Sequence, residues 1–447
     1  MKKYDYIVIG SGPVAYKFSA GMKEQNKKIL VVEGDSFGGI CPNYGCEPKI
    51  FLEGAVKTVL TSRRLLGKGI DEPATLDWEA LMKRKKEIFN PYPENSIKGF
   101  NGNNSDTLQG YATFIDKNTI KVNDEEIFGE KIIIATGQKP NKLPIQGSEL
   151  TKSSNDVFDL DYLPESVIFI GGGFVSMELA VILNAAGSKV EIVEFANRPL
   201  MAFDEKHVSI VVKEMEEQGI VFHFNQAINK VEKNSGKYIL TSKSGEIFET
   251  DFVVDASGRI PNIDKLNLEL IGVEIDRGGI VVDENLQTNV EGIYAAGDVV
   301  SKNPLIAPKL TSIGQYEGEY LSKYFSGKTN KGIKYPVLGS AAFTFPQISQ
   351  VGVNVEEARI NSNYTVIDYD LAAYDFFYSG TNDSNAELTL VFDEKNQLVG
   401  ASEVSQTASD DINSFVDIIG LNLDLAVWKE KFLPVFPSIG YKIRDFL

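Results

Sequence analysis

The chain of 447 residues contains two cysteines, Cys41 and Cys46, separated by a Pro-Asn-Tyr-Gly tetrapeptide. Thiols this close can form a redox disulfide, bind a metal or pack as inert side chains. Two thiolates do not fill a tetrahedral zinc site, and the two histidines, His207 and His223, are far along the chain. Positions five apart in an ideal helix point about 140° apart, so a disulfide requires that the proline and glycine distort the helix. We interpret the pair as a redox disulfide.

A glycine turn near the N-terminus has the spacing of a dinucleotide-binding unit. Tyr6–Ile9 has the composition of a strand, Gly10 and Gly12 follow, and a helix-compatible stretch comes next. A second strand, Ile29–Val32, ends at Glu33. Glycines permit the tight turn, the N-terminus of the helix faces a pyrophosphate, and a carboxylate at the end of the second strand accepts a ribose hydroxyl. The pattern predicts a nucleotide site.

The same pattern recurs in the middle of the chain. A strand at Ser166–Ile170 precedes Gly171 and Gly173, and after a helical stretch the strand Lys189–Val193 ends at Glu194. Two complete units predict two bound nucleotides, or a duplicated domain in which one site works.

Three further apolar segments end in glycine turns. They read KIIIATGQ over Lys131–Gln138, DFVVDASGRIPN over Asp251–Asn262 and GIYAAGDV over Gly292–Val299. Each predicts a buried strand followed by a turn.

The last part of the chain, from about residue 334, has a different pattern. Strands are predicted at Leu388–Phe392 and Leu398–Val404, and amphipathic helices at Asp410–Ile419 and Leu423–Glu430. This composition predicts a separate α+β domain.

Seven motifs follow one another in a fixed order: the first glycine turn, GGICPNYGCEPK, IIIATG, GGGFVSME, ASGRIPN, IYAAGDV and FTFPQISQVG. Their order and spacing resemble the flavoprotein disulfide reductase family across essentially the whole chain; glutathione reductase, dihydrolipoamide dehydrogenase and mercuric reductase are members. The resemblance implies an α/β fold with two Rossmann-like dinucleotide-binding domains, for FAD and NAD(P), and a C-terminal α+β dimerisation domain. The expected segments are 1–145 and 263–333 for FAD, 146–262 for NAD(P) and 334–447 for homodimerisation.

The glycine turns and the resemblance together give two sets of cofactor-binding residues. The FAD-binding set is Gly10, Gly12, Pro13, Ala15, Glu33, Gly39, Lys49, Ala112, Thr136, Gly137 and Asp298. The NAD-binding set is Gly171, Gly173, Glu194 and Gly258. Because the carboxylate of Glu194 repels a 2′-phosphate, we expect NADH rather than NADPH, although Arg198 lies four residues later.

The resemblance also assigns the catalytic residues Cys41, Cys46, Lys49 and Glu178. It implies that Cys46 faces the flavin, that Cys41 exchanges with the substrate, and that Lys49 pairs with Glu178 near the reactive flavin nitrogen. A helix that begins at the cysteine pair is expected to stabilise a thiolate. Glu47 stands where the family has an apolar residue; its charge raises a thiol pKa and would shift the redox potential.

The family's C-terminal histidine and glutamate are missing. Phe436 and Tyr441 occupy their positions, and His207 and His223 are expected to be a surface residue and a strand residue without a catalytic role. General acid–base catalysis contributes about 10²–10⁴ in rate, so loss of the histidine weakens the reduction of a disulfide. Two alternatives to a reductase of small glutathione- or lipoamide-like disulfides therefore stay open. One is a reductase of quinones, metal ions or oxygen, and the other an FAD-bound redox-sensing binding protein.

Composition restricts the partners and the compartment. The formal net charge of −17 argues against nucleic acid and anionic membranes as partners. The sparse cysteines exclude a disulfide-stapled secreted scaffold. The apolar run near the N-terminus is short, is interrupted by Asp5 and leads into the glycine turn, so it predicts a strand rather than a signal peptide. We expect a cytoplasmic protein without a metal site.

Overall fold

The computed structural model describes residues 1–304, 306–374, 376–436 and 438–446. Its backbone contacts divide the chain into two compact units. Unit 1 consists of Met1–Phe51, Met82–Asn141 and Gly258–Tyr335, and unit 2 of Leu52–Leu81, Lys142–Ser257 and Pro336–Leu447.

The secondary structure is given in chain order. The strands are β1 Lys2–Ile9, β2 Ile29–Glu33, β3 Ser105–Gln109, β4 Ala112–Asp116, β5 Thr119–Val122, β6 Glu125–Ile134, β7 Gln138–Pro140, β8 Ser166–Ile170, β9 Lys189–Val193, β10 Val221–His223, β11 Ile228–Asn234, β12 Lys237–Ser242, β13 Ile247–Thr250, β14 Phe252–Asp255, β15 Arg259–Pro261, β16 Ile275–Asp276, β17 Gly279–Ile280, β18 Ile293–Ala295, β19 Gly339–Ala342, β20 Gln347–Gly352, β21 Tyr364–Asp370, β22 Glu387–Asp393 and β23 Leu398–Ser405. The helices are α1 Pro13–Met22, α2 Ile40–Tyr44, α3 Cys46–Arg64, α4 Trp78–Phe89, α5 Tyr92–Gly102, α6 Ser154–Val157, α7 Phe174–Ala186, α8 Glu205–Glu217, α9 Leu268–Ile271, α10 Thr311–Phe325, α11 Val355–Arg359, α12 Leu371–Tyr374, α13 Phe376–Gly380, α14 Ala408–Gly420, α15 Leu425–Lys431 and α16 Ile439–Phe446.

The main sheet of unit 1 has the strand order β3-β2-β1-β6-β5-β4, and β18 also pairs with β6. Strands β3, β2, β1, β6 and β18 are parallel, whereas β4 and β5 are antiparallel. Ile7 and Ile9 pack into one apolar cluster and Tyr6 and Val8 into another, as expected for a strand that is buried on both faces. Helix α1 packs closely on α10, where a Cβ atom at Gly318 would lie 2.3 Å from the carbonyl oxygen of Val14.

The described residues of unit 2 form three sheets. Strands β10-β9-β8-β14 form a parallel sheet, and β11-β12-β13 form an antiparallel one. Strands β19-β20-β23-β22-β21 form a five-stranded antiparallel sheet, on which α14 packs through Ile412 and Phe415. Strands β22 and β23 and helices α14 and α15 lie within two residues of the C-terminal elements predicted from sequence.

The expectation that His207 is a surface residue was wrong. His207 is the third residue of α8 and is fully buried, with Nδ1 2.8 Å from the hydroxyl of Ser402 and Nε2 3.2 Å from that of Thr389. Burial lowers the pKa of His207 to about 3, so the imidazole is neutral. His223 lies on β10, as predicted, with its Nε2 2.7 Å from Glu191.

Every helix within the described ranges is too short or too polar to traverse a bilayer.

Two carboxyl groups are buried together in unit 2. Glu403 on β23 accepts a hydrogen bond from Ser405 (2.6 Å), and Asp411 on α14 accepts one from Thr407 (2.7 Å). Burial, with the charge of Asp411, raises the pKa of Glu403 well above its ordinary value. Burial raises the pKa of Asp411 to about 6, against the hydrogen bond from Thr407. The pair therefore holds a proton in the folded state that the unfolded chain releases near pH 4.

We predict that the contribution of this pair to stability falls as pH rises above about 4, because only the folded state retains the proton. Glu403→Gln supplies an amide donor without a titrating proton. It should therefore raise the free energy of unfolding at pH 8 by about 1–3 kcal/mol and have less effect at pH 5. Urea unfolding at both pH values measures this, with Asp417→Asn, at an exposed carboxylate of α14, as the control. An equal effect of Glu403→Gln at pH 5 and pH 8 would contradict the prediction.

Candidate active site

At the first glycine turn, the backbone of Gly10 lies against the backbone of Ala135, just after β6. Gly10 has φ +104°, its N–H donates to the carbonyl of Val32 (2.7 Å), and a Cβ atom would lie 2.3 Å from the carbonyl oxygen of Ala135. Only glycine adopts this conformation and leaves this space. The segment KIIIATGQ therefore belongs to the turn, because β6 runs beside β1 and its end closes over Gly10.

The second turn repeats this arrangement in unit 2. Gly171 has φ +102°, its N–H donates to Val193 (2.8 Å), and a Cβ atom would lie 2.8 Å from the carbonyl oxygen of Ala256. Ala256 follows β14, which pairs with β8. The segment DFVVDASGRIPN thus closes the second turn as KIIIATGQ closes the first.

The carboxylates at the ends of β2 and β9 accept hydrogen bonds from residues of these two turns. Glu33 accepts hydrogen bonds from the backbone N–H (2.9 Å) and hydroxyl (2.7 Å) of Ser11. Glu194 accepts from the N–H groups of Gly172 and Ala196. A carboxylate has about four acceptor positions, so each can also accept from a ribose hydroxyl.

The side chain of Arg198 is bound by two other groups of unit 2. Its guanidinium lies 2.7 Å from the carboxylate of Glu356 and donates to the carbonyl of Phe203 (3.1 Å). An arginine held in this way is not directed at a 2′-phosphate, which agrees with the NADH expectation from Glu194.

The residues around the first turn fit an FAD pyrophosphate. Helix α1 begins with Pro13, and a Cβ atom on Gly12 would meet nothing within 4 Å, so open space faces the N-terminus of the helix. Gly39, at φ +73°, packs against this turn, since its Cβ atom would lie 2.8 Å from Cα of Gly12. The hydroxyl of Thr136 is buried and has no hydrogen-bond partner among the described residues. A buried polar atom of this kind is suited to a bound ligand.

Asp298 follows β18 in a 3₁₀ turn at Gly297–Val299. Burial raises the pKa of Asp298, against the positive charges of Lys302, Lys309 and Arg259. The turn is anchored by Glu317, a fully buried residue of α10 that sequence reasoning missed. Glu317 accepts the N–H of Gly297 (2.5 Å) and lies 2.5 Å from the ammonium of Lys302. In the sequence, the sign of this role was only that Glu317 lies between Gly314 and Gly318 in a helix.

The other predicted cofactor residues lie at turns or inside the core. Ala15 is buried on α1 and Ala112 on β4, so each can offer a cofactor only its backbone. A Cβ atom on Gly137, Gly173 or Gly258 would meet nothing within 4 Å.

The two cysteines lie on either side of a helix break. Cys41 is in α2, Cys46 is the first residue of α3, and between them Gly45 has φ −140° and ψ −124°. The predicted distortion is therefore present, and it places the two thiols near enough for each to shift the pKa of the other. The Sγ atom of Cys46 lies 3.3 Å from the hydroxyl of Thr311, a further site residue that sequence reasoning missed.

The two thiols have opposite acidities. The neighbouring Cys41 thiol lowers the pKa of Cys46 to about 6, together with the hydroxyl of Thr311 and the charge of Lys49, and this outweighs the partial loss of water around a sulfur that stays exposed. The pKa of Cys41 is raised, because its thiol interacts with the neighbouring Cys46, because it is buried, and because the charges of Cys46 and Glu47 oppose its ionisation. The negative charge of the reduced pair is therefore favoured on Cys46 and the proton on Cys41. The position of Cys46 at the start of a 19-residue helix favours the same arrangement.

The remaining predicted catalytic residues belong to different units. Lys49 is half-buried on α3 in unit 1. Glu178 is buried on α7 in unit 2, where its carboxylate accepts the backbone N–H of Phe343 (2.9 Å).

The C-terminal segment carries an aromatic side chain where the family histidine would stand. Phe436 is 68% exposed and makes an edge contact with the ring of Tyr441, with ring centroids 5.1 Å apart. No group of three or more histidine, cysteine, aspartate or glutamate side chains in the described part of the chain is arranged to hold a metal ion.

We predict that Cys41→Ala raises the pKa of the Cys46 thiol from about 6 by about one unit or more, because the thiolate loses the neighbouring thiol that stabilises it. Cys41→Ser is the matched control, since its hydroxyl can still donate. The pH dependence of iodoacetamide alkylation, followed by mass spectrometry, reports the pKa of the single remaining thiol. Identical profiles for the alanine and serine variants would contradict this stabilising role of Cys41.

Known proteins share this architecture. A sequence model of the family described as pyridine nucleotide-disulphide oxidoreductase matches residues 4–318. A dihydrolipoyl dehydrogenase of Buchnera aphidicola is 31% identical over 437 residues, which cover 94% of this chain and 89% of that protein. A mercuric reductase of Lysinibacillus sphaericus is 30% identical over 372 residues, covering 80% and 66%. The flavoprotein disulfide reductase RclA of Escherichia coli, solved as a Cu(II) complex, superposes with a TM-score of 0.89 at 24% identity over 100% of this chain and 99% of RclA.

These similarities confirm the predicted fold class, with two Rossmann-like domains and a C-terminal domain, and they confirm that the protein is an enzyme. They do not favour the reading as a redox-sensing binding protein or as a reductase of non-disulfide acceptors. The chain belongs to the pyridine nucleotide-disulphide oxidoreductases, enzymes that bind FAD and transfer electrons between NAD(P)H and a disulfide.

Proposed function

We propose that this chain uses NADH to reduce a small disulfide of the glutathione or lipoamide type through Cys41 and Cys46. The observation that carries the proposal is the helix break at Gly45, which places Cys41 in α2 and Cys46 at the start of α3, with Sγ of Cys46 3.3 Å from the hydroxyl of Thr311. Such a pair carries one proton and one negative charge when reduced, which prepares it for thiol–disulfide exchange.

The exchange can be written with these two sulfurs. The thiol of Cys41 first passes its proton to the Cys46 thiolate, because only a thiolate attacks a disulfide. The Cys41 thiolate then forms a mixed disulfide with the substrate, and the proton on Cys46 passes to the departing substrate thiolate, which leaves as a thiol. The thiolate of Cys46 then attacks the sulfur of Cys41, releases the second substrate thiolate and regenerates the Cys41–Cys46 disulfide. Because the Cys46 thiolate can act as the base and then as the proton donor, the first step does not require a histidine. Phe436 and Tyr441 therefore remain compatible with disulfide reduction.

The residues that would hold FAD lie in unit 1. The N-terminus of α1 behind Gly12 would face the pyrophosphate, Glu33 the adenosine ribose, and Thr136 and Asp298 the flavin side. When bound, FAD supplies two-electron transfer between the nicotinamide and the disulfide. We assign residues 1–145 and 263–333 to FAD binding, 146–262 to NAD binding and 334–447 to dimerisation.

NADH is the proposed coenzyme. Glu194 stands at the end of β9, where a carboxylate accepts from the 2′-hydroxyl and repels a 2′-phosphate. The side chain of Arg198 is held by Glu356 and by the carbonyl of Phe203. Phe174, the first residue of α7, is 49% exposed at the second glycine turn and can cover a bound nicotinamide.

We predict NADH oxidation that depends on an added small disulfide and is faster than NADPH oxidation. Cys41→Ser, which lacks the exchanging sulfur, should lower the disulfide-dependent rate more than about a hundredfold without loss of bound flavin. Absorbance of NADH with glutathione disulfide, lipoamide and a quinone in parallel measures this. A dominant rate with the quinone that survives Cys41→Ser, or a colourless purified protein, would overturn the proposal.

A homodimer is proposed from the family and from the C-terminal segment. Phe432, Leu433, Val435 and Phe436 are 52%, 77%, 78% and 68% exposed. A run of exposed apolar side chains is typical of an interface with another protein surface. We also infer a reducing compartment such as the cytoplasm, because both cysteines lie in the redox hexapeptide.

We predict that Leu433→Asp with Val435→Asp converts a dimer of about twice the 49.3 kDa chain mass into a monomer, because burying two carboxylates in an apolar interface is unfavourable. Light scattering after size exclusion measures the mass. Ile360→Asp, at another exposed apolar side chain, is the control and should leave the mass unchanged. A wild-type monomer would contradict the dimer.

A further inference from the structure

Glu47, the residue immediately after Cys46, is held in place by an aromatic side chain. The hydroxyl of Tyr92, the first residue of α5, donates a hydrogen bond to Oε2 of Glu47. The ring of Tyr92 is stacked on Phe89 with centroids 5.6 Å apart, and Phe89 in turn contacts Phe51. The aromatic stack fixes the hydroxyl, so an otherwise exposed carboxylate has a defined position beside the cysteine pair.

The charged groups around the two thiols are segregated. The charge of Lys49 and the hydroxyl of Thr311 act on Cys46, and both favour its thiolate. The charge of Glu47 acts on Cys41 and favours its protonated form. The Cys41 thiolate, if formed, would also act on Tyr92, which places the Tyr92–Glu47 pair on the Cys41 side. The positive charge of Lys49 therefore acts on Cys46, and the negative charge of Glu47 acts on Cys41.

We propose that Glu47, positioned by the hydroxyl of Tyr92, keeps the proton on Cys41 and makes the Cys41–Cys46 dithiol a stronger reductant. Glu47 is a positioning residue, because it acts through the charge of the thiols and does not exchange with substrate. The inference deepens the proposed function and rests on the assignment of Cys41 and Cys46 as the redox pair.

The direction of the effect follows from the charge balance. Reduction of the disulfide breaks the sulfur–sulfur bond, adds two electrons and one proton, and leaves a Cys41 thiol and a Cys46 thiolate. The reduced pair carries one more negative charge than the disulfide, so a fixed carboxylate nearby destabilises it. The dithiol therefore gives up its electrons more readily while Glu47 is ionised.

Tyr92 does not itself replace the missing histidine. The hydrogen bond to Glu47, together with burial, raises the pKa of Tyr92 to about 12. A tyrosine of this kind is a poor proton donor at neutral pH, and its role in this contact is to orient the carboxylate.

The test is an anaerobic redox titration of the flavin-containing protein against mixtures of reduced and oxidised dithiothreitol. Dithiothreitol donates two electrons and two protons per disulfide, of which one proton stays on Cys41 and one is released. Alkylation followed by mass spectrometry counts the dithiol and disulfide forms. Glu47→Gln should shift the equilibrium toward the dithiol by about tenfold, which is about 30 mV for a two-electron couple.

Two variants separate position from charge. Tyr92→Phe keeps the ring on Phe89 and frees the carboxylate, so it should shift the equilibrium in the same direction by about threefold. The double variant should shift it no further than Glu47→Gln alone, because Tyr92 acts through Glu47. Glu94→Gln, an exposed carboxylate in the first turn of α5, is the control and should leave the equilibrium unchanged.

The outcomes distinguish this inference from the proposed function. A wild-type titration without a Cys41–Cys46 disulfide would remove the redox pair and the proposed function with it. A wild-type couple that titrates normally, with Glu47→Gln at the same potential or Glu94→Gln shifted equally, would overturn the role of Glu47 alone.

Discussion

In both nucleotide-binding units, the backbone of the glycine turn lies against the backbone at the end of a neighbouring strand, and this contact requires glycine at the turn. The turn after the first strand of each unit passes so near the end of a neighbouring strand that a Cβ atom on Gly10 or Gly171 would collide with the carbonyl of Ala135 or Ala256. This contact fixes where α1 and α7 begin, at the carboxyl edge of a parallel sheet, and it directs their N-terminal N–H groups to the space in front of the turn. In unit 1 the loop before the cysteines packs on the same turn through Gly39. The redox hexapeptide is thereby attached to the nucleotide turn by backbone contact.

The chemistry of the cysteine pair depends on an uneven distribution of charge over a short distance. The protein is strongly acidic, yet the start of α3 and Lys49 make the surroundings of Cys46 favourable for a thiolate. Glu47 has the opposite effect on Cys41. The reduced pair therefore holds its proton on Cys41 and its negative charge on Cys46, and the Cys46 thiolate can accept that proton when Cys41 attacks a disulfide. This arrangement gives a physical reason why a phenylalanine at position 436 is compatible with the chemistry of the family.

Buried carboxyl groups are stabilised in two different ways. Glu317 is fully buried beside the ammonium of Lys302 and accepts the N–H of Gly297, so its negative charge is compensated and it anchors the turn that presents Asp298. Glu403 and Asp411 instead retain a proton, because burial raises the pKa of both and the charge of Asp411 raises that of Glu403 further. A charge removed from water needs a partner or a proton. The first solution fixes the turn that carries Asp298 by direct contacts, whereas the second links the stability of the C-terminal sheet to pH.

The sequence by itself determined the local elements: both strand–glycine–helix units, the C-terminal strands β22 and β23, and a cysteine pair that needs a broken helix. These follow from glycine conformation, residue periodicity and the spacing of two thiols, all of which act between near neighbours in the chain. Only the tertiary structure decided that Ala135 and Ala256 close the two turns, that Thr311 contacts Cys46, that His207 is buried, and that Tyr92 holds Glu47. Each of these contacts joins residues from tens to hundreds of positions apart, and each depends on which strands are neighbours in a sheet and which helix faces pack together. A one-dimensional pattern does not contain that information, because many pairings would satisfy the same periodicity.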